Sequence, residues 1–195
     1  MAKGSTSTTT KNDESSADNR FYLLGEVDED MQKLVADPIL KSIQEQSILR
    51  DGKLQLIIQG PGGYWSVCSH ILSLIDLAKA HDVVVETIVV GEVCSASSII
   101  AVAGSKGHRY ISPVAEHMVH YGSSYAYGAS PTEMEREAGF TKRFFQNVEK
   151  HYRAHCKIPN LHEIIQHDSL FIPAGKCLKW GLADHYISRL DLTAS

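Results

Sequence analysis

Apolar positions along this chain alternate between two periods, and the alternation reads as strands separated by helices. Residues 21–27 form a short strand-like run. Residues 28–46 carry helical spacing through Met31, Leu34, Val35, Ile39, Leu40 and Ile43, with Pro38 expected to interrupt it. Residues 54–59 read as a buried strand ending at Gly60-Pro61-Gly62-Gly63, residues 67–80 as a helix, and residues 83–90 as an almost unbroken apolar, β-branched strand. A small-residue helix is expected over 95–103, followed by a Gly104-Ser105-Lys106-Gly107 turn and strands near 108–111 and 117–121. A long helix is expected over 132–156, with Pro131 suited to its start. Continuous apolar strands separated by helices predict an α/β layered fold around a mainly parallel sheet.

Composition narrows this picture. Residues 1–19 are Ser/Thr-rich and almost free of large apolar groups, so burial cannot offset their ordering entropy, and a disordered polar tail is expected. The 195 residues, 43% hydrophobic and 22% charged, fit one globular domain over 20–190, with 191–195 a short tail. A formal net charge of −4 gives no reason to expect nucleic acid or an acidic membrane surface as partner. No apolar run approaches the roughly 20 residues of a membrane span. Without an apolar signal-peptide core at the N-terminus, export is not expected and a cytoplasmic setting is. Cys68, Cys94, Cys156 and Cys177 lack CxxC spacing and read as buried free thiols in a reducing compartment.

The candidate chemistry centres on Ser95, where a β-type run gives way to a small-residue helix start. A hydroxyl at such a corner is held exposed while backbone N–H groups of the new helix point at whatever it attacks. His120 and Asp168 follow, and serine, histidine and aspartate can make a nucleophile, its base and the base's orienter. Gly60-Pro61-Gly62-Gly63 reads, on its own, more readily as a tight turn than as a ligand loop, and it lacks the Walker lysine and GxGxxG. Cys94 reads as a packed small residue rather than a rival nucleophile, and Ser97 and Ser98 as helix-start residues. His117 lies on the opposite face of its strand from His120 and reads as a structural or solvent-facing histidine. His151, His155 and His162 lack HExxH and read as surface residues, so no metal is expected. Phe140, Phe144, Phe145, Val148 and Tyr152 on the long helix read as packing, partly between subunits.

Five segments, in order, resemble the proteolytic subunit of the Clp protease, the ClpP family of serine peptidases within the crotonase-like fold. Gln59-Gly60-Pro61-Gly62-Gly63 resembles the family's N-S-P-G-G, and Gly91-Glu92-Val93-Cys94-Ser95-Ala96-Ser97 its nucleophile segment G-x-A-A-S-M-G. The run from Ala103 to Pro113 is similar to A-G-x-K-G-x-R-x-x-x-P, and Met118-Val119-His120-Tyr121-Gly122 to M-I-H-Q-P. The run from Ala174 to Asp184 resembles A-x-E-A-x-x-Y-G-L-x-D. The resemblance covers about residues 21–187.

This resemblance implies repeated ββα units with a protruding strand–helix handle over about 122–157. It makes Ser95 the nucleophile, His120 the base and Asp168 its orienter, with the N–H groups of Gly63 and Ala96 as oxyanion hole. Gly62, Tyr121 and Gly122 fall at the substrate-binding edge. It further implies peptide or unfolded-protein substrates, no cofactor, and a double heptameric ring of identical subunits with internal active sites. Asp168 stands three residues before Phe171, where the family pattern has its aspartate two before an aromatic, and Asp184 belongs to a structural motif. The region that meets an ATPase in the family is replaced by the polar tail, so docking to a Clp-type ATPase is not assumed. Three other readings stay open: a catalytically weak or inactive ring subunit, a specialised viral or particle-processing protease without an ATPase, and an acyl-CoA-handling crotonase-type enzyme. The match of Ser95 and His120 to the peptidase motifs weighs against the last.

Overall fold

A computed structural model describes residues 19–120, 122, 130–167 and 169–189. Most of the polar tail, the strand part of the handle (123–129), Tyr121, Asp168 and the last residues lie outside the described residues. Strand β1 (Arg20–Val27) leads through Asp28, whose carboxylate accepts from the Met31 N–H, into α1 (Glu29–Met31). A π-helical stretch, Gln32–Ala36, joins this turn to α2 (Asp37–Gln44). The interruption expected at Pro38 is therefore a widening and not a break. Pro38 sits in the first turn of α2, and the wider loop just before it makes room for the ring and for the missing N–H. Next come α3 (Ser47–Asp51), β2 (Lys53–Gly63), α4 (Trp65–Ala80), β3 (Val84–Cys94) and α5 (Ser95–Val102). The chain continues through β4 (Arg109–Ile111), β5 (Glu116–His120), α6 (Pro131–His155), α7 (Leu161–His167), β6 (Ser169–Pro173), α8 (Ala174–Trp180) and β7 (His185–Tyr186).

The seven strands form one sheet in the order β1-β2-β3-β4-β7, with β5 pairing β3 and β6. Every pairing is parallel except β5 with β6. β3 serves two neighbours on one side: its middle pairs β4 through Thr87, Ile88 and Val89, and its end pairs β5 through Val93 and Cys94. Helices on the sheet explain why β3 reads as a continuous apolar run, since Val85, Ile88, Val89 and Val93 are all buried.

Polar groups fix the register where apolar ones alone would allow slippage. Arg20 Nε donates to Gln55 Oε1 at 2.8 Å, and Gln55 Nε2 donates to the buried Glu86 at 2.6 Å. Lys53 Nζ approaches the same carboxylate at 3.1 Å, so one polar row crosses β1, β2 and β3 near their starts.

The expected turn at Gly60-Pro61-Gly62-Gly63 is the end of β2. Glu26 pairs with Gly62 and Val27 with Gly63, so β1 carries these glycines onward as strand past an irregularity on each side. Motif chemistry favoured a turn, but pairing with a parallel neighbour outweighs it.

At the far edge, Asp184 accepts from Arg109 Nε at 2.8 Å and from Nη2 at 2.7 Å, and from the backbone N–H groups of Gly107 and Arg109. This closes the chain's last segment on β4, in the structural role expected of Asp184. Burial by itself would raise the Asp184 pKa, but hydrogen bonds and charge from Arg109, with the two backbone N–H groups, bring it below its ordinary value. A depressed folded-state pKa contributes stability that is present above the unfolded-state value and is lost as pH falls through the folded one. Asp184→Ala leaves the Arg109 guanidinium, 4% exposed, without its counter-charge, and is expected to cost about 3 kcal/mol, read by denaturant unfolding at neutral pH. The difference from wild type should shrink in acid.

Candidate active site

β3 ends at Cys94 and α5 begins at Ser95 with no residue between them. To make that corner Ser95 adopts φ +51°, a conformation that L-residues other than glycine visit rarely and that is characteristic of functional turns. The corner stands at the carboxyl ends of parallel strands, where open α/β sheets form their crevices.

The end of β2 packs against this corner. A Cβ on Gly62 would lie 2.6 Å from Ser95 Cβ, 2.8 Å from Cys94 O and 3.0 Å from Ala96 N, and Gly62 has φ +98°. Gly63, with φ +148°, leaves no room either, because a Cβ there would meet Val27 O at 2.4 Å. Glycine is thus required twice in succession, which brings β2 backbone beside the first turn of α5. N–H groups in that turn have no intrahelical acceptors, and Cys94 supplies no side-chain cap.

Ser95, Gly63, Met118, His120 and Gly122 face one cleft of about 360 Å³, walled by Trp65, Phe144 and Phe145. Trp65 meets Phe144 edge-on at 4.9 Å between centroids, and Phe144 meets Phe145 in the same way at 4.9 Å. Gly122 is tight against this wall, since a Cβ there would lie 3.1 Å from Phe144. On β5, Met118 and His120 face the cleft while His117 and Val119 point into the core, as the two-residue period requires. Burial lowers the His120 pKa below its ordinary value, which keeps the imidazole neutral near pH 7. Its Nε2 is buried and has no hydrogen-bond partner among the described residues.

Ser95 and His120 therefore share a cleft that Gly63 and Gly122 also line, with Gly62 packed against Ser95 and Ala96 behind it, but no hydrogen bond joins the serine and the histidine. Tyr121 and Asp168 are outside the described residues. The antiparallel register of β5 and β6 pairs His120 with Ser169, the residue that follows Asp168 in the chain.

Cys94 is buried. Burial, then a 3.3 Å hydrogen bond to Glu92, push its thiol up to about 12, so it is no thiolate at neutral pH. All four cysteines are free and buried. His151 and His155 are not the surface residues expected. Both are half-buried with rings 4.5 Å apart, His151 Nε2 lies 3.0 Å from Ile99 O, and burial, then His155, lowers the His151 pKa to about 4. They face the handle–core contact because α6 packs on α5 along that side. His162 is exposed, 2.9 Å from Glu149. No group of three or more His, Cys, Asp or Glu residues that could hold a metal occurs among the described residues.

Two features were missed in the sequence. Trp65 opens α4 one residue past the glycine strand, and its place in the cleft wall could have been read from that proximity. His117, Ser98 and Tyr152 form a buried hydrogen-bonded chain, for which the only signal was the alternation along β5 that turns His117 inward.

A mainly parallel sheet flanked by helices, with a strand-to-helix serine at the carboxyl end of a central strand, defines an α/β protein. The family model described as Clp protease matches residues 6–189, which makes the class ClpP/crotonase-like, and the chain belongs to that family of serine peptidases.

Gly62→Ala forces a Cβ into the Ser95 corner at a positive φ and is expected to cost roughly 1–3 kcal/mol. It should also shift Ser95, so labelling of Ser95 by a fluorophosphonate, measured on the folded fraction, should fall with it.

Proposed function

We propose that the protein is a serine endopeptidase that cleaves peptide bonds through an acyl-enzyme on Ser95. The observation that carries this reading is the strained Ser95 corner, pressed against Gly62 and sharing one cleft with a neutral His120 whose Nε2 has no partner among the described residues. His120 takes the Ser95 proton as the hydroxyl attacks the carbonyl carbon, then returns it to the leaving amine; water repeats the sequence to release the acid. The developing oxyanion is held by the N–H groups of Gly63 and Ala96, and loss of one such donor typically costs about 10²–10³-fold in rate. Asp168 is proposed to orient the base; it precedes Ser169, the residue that pairs with His120. Ser95 and His120 closing to hydrogen-bond distance on substrate binding fits the looser geometry of many unliganded sites.

Substrates are peptides or unfolded proteins, with Gly62, Tyr121 and Gly122 along the binding edge and the Trp65–Phe144 wall taking an apolar side chain. Identical subunits assemble as a double heptameric ring in the cytoplasm. Support for assembly comes from apolar groups left half-exposed on edge strand β1, Tyr22 and Leu24, and on the handle helix, Met134 and Phe140. A second reading, a ring subunit with little activity, is favoured by the missing Ser95–His120 hydrogen bond.

One preparation separates the two. The native assembly is sized and short-peptide hydrolysis is followed with wild type and Ser95→Ala. The active reading expects fluorophosphonate labelling at Ser95 and a loss of activity of at least about 10³-fold on Ser95→Ala; an assembled wild type that neither labels nor hydrolyses establishes the inactive one. Since hydrolysis needs neutral His120, the acid limb of kcat/KM should fall below the ordinary histidine value of 6.5, with activity lost as pH drops through the lowered pKa.

A further inference from the structure

Among the described residues, the serine and histidine that do hydrogen-bond are Ser98 and His117, with Ser98 Oγ 2.9 Å from His117 Nδ1. Tyr152 donates its hydroxyl to Ser98 Oγ at 3.0 Å. Ser98 and His117 are 0% exposed and Tyr152 1%, so no substrate reaches them, and this chain is not a second active site. With Tyr152 donating to its oxygen, the Ser98 hydroxyl can donate to Nδ1 of the neutral ring, which leaves Nε2 on the far side. That Nε2 has no partner among the described residues. Burial, then the charge of Arg109, push the His117 pKa down to about 3, so the group stays neutral through any working pH.

A buried polar atom without a partner, as Nε2 is among the described residues, costs stability, typically about 1–3 kcal/mol, and an apolar trio of similar shape would fill the same space without that cost. What the polar trio adds is direction. Ser98 lies three residues beyond Ser95 on α5, about one turn. His117 lies three residues before His120 on β5, and Tyr152 lies on α6, the handle helix. Each member therefore belongs to a different element, and two of those elements carry the proposed nucleophile and base. The neighbouring residue pair repeats the α6–α5 link, because His151 Nε2 lies 3.0 Å from Ile99 O. The other contacts of α5 are apolar ones through Ile99, Ile100 and Val102, and hydrogen bonds from Cys68, Thr87 and Lys79 that tie it to α4 and β3 but not to β5.

We propose that Ser98, His117 and Tyr152 are positioning residues that lock α5 to β5, and both to the handle helix, so that Ser95 and His120 are held across one cleft from which they close to reacting distance when substrate binds. The role rests on the reading of Ser95 and His120 as nucleophile and base. It also couples the handle to the cleft: a displacement of α6 is transmitted through Tyr152 to the helix that bears Ser95.

Two variants test it, Tyr152→Phe, which removes one hydroxyl and keeps the ring, and the apolar set Ser98→Ala/His117→Leu/Tyr152→Phe. Thermal unfolding, assembly size, kcat and KM for a short peptide, and the fluorophosphonate labelling rate are measured beside wild type and Ser95→Ala. The expected result is an assembled protein whose kcat and labelling rate fall by about 10-fold or more with KM little changed, the size of effect that an ångström-scale misplacement produces. A merely structural network would lower the melting temperature and leave kcat per folded molecule within about two-fold of wild type, and that result overturns the proposal. If the triple variant does not fold, Tyr152→Phe decides by the same criterion. Activity surviving in Ser95→Ala would overturn the reading of the site, and the positioning role with it. An inactive Ser95→Ala beside network variants of wild-type kcat overturns the positioning role alone.

Discussion

The close approach of β2 to the β3–α5 corner is the constraint on which the site depends. Two successive glycines allow it, because a side chain at Gly62 would collide with Ser95 and one at Gly63 with the backbone of β1. The approach is held from both sides: β1 pairs with the glycine end of β2, while the polar row from Arg20 through Gln55 to Glu86 sets the register at the other end of the same strands. A slip of one residue would turn the apolar faces outward and carry the glycines away from the serine. Register at the start of the sheet and geometry in the cleft are thus one requirement.

α5 is short, and much of what holds it is not its own. Its carbonyls accept from outside, Ala96 O from the Cys68 thiol at 3.7 Å and Ala101 O from the Thr87 hydroxyl at 2.8 Å, and Ala103 O just past its end accepts from the Lys79 ammonium. These donors come from α4 and β3, and the Ser98 chain adds β5 and α6. The capping box of Ser130 and Glu133 starts α6 in solvent, whereas Phe145, Val148 and Tyr152 anchor its last turns in the core. The long helix is therefore fixed at one end and projects at the other, and the fixed end is the one that touches the serine helix.

Most of this architecture was legible because hydrophobic period is a local signal. The runs that became β2, β3, α4 and α5 each carried their own pattern, and the glycine, serine and histidine segments stood in an order that pointed to one family. What could not be read depended on neighbours distant in sequence. The glycine segment looks like a turn until β1 is placed beside it, and Pro38 looks like a break until the π stretch before it is seen. His151 looks like a surface residue until α6 is laid on α5. The Ser98–His117–Tyr152 chain joins residues up to 54 positions apart, and no spacing rule announces such a contact.

The burial of Cys94 has a chemical consequence. Sulfur is the better intrinsic nucleophile, and a thiolate one residue before the serine would compete for any electrophile entering the cleft. Burial and the Glu92 carboxylate keep that sulfur protonated, and the other three thiols are raised in the same way, to about 11 or 12. Hard acylating and phosphonylating groups therefore meet a hydroxyl with no sulfur rival, and mild oxidants that consume thiolates find none to consume. Selectivity between oxygen and sulfur is set here by solvation, not by which atom stands nearer.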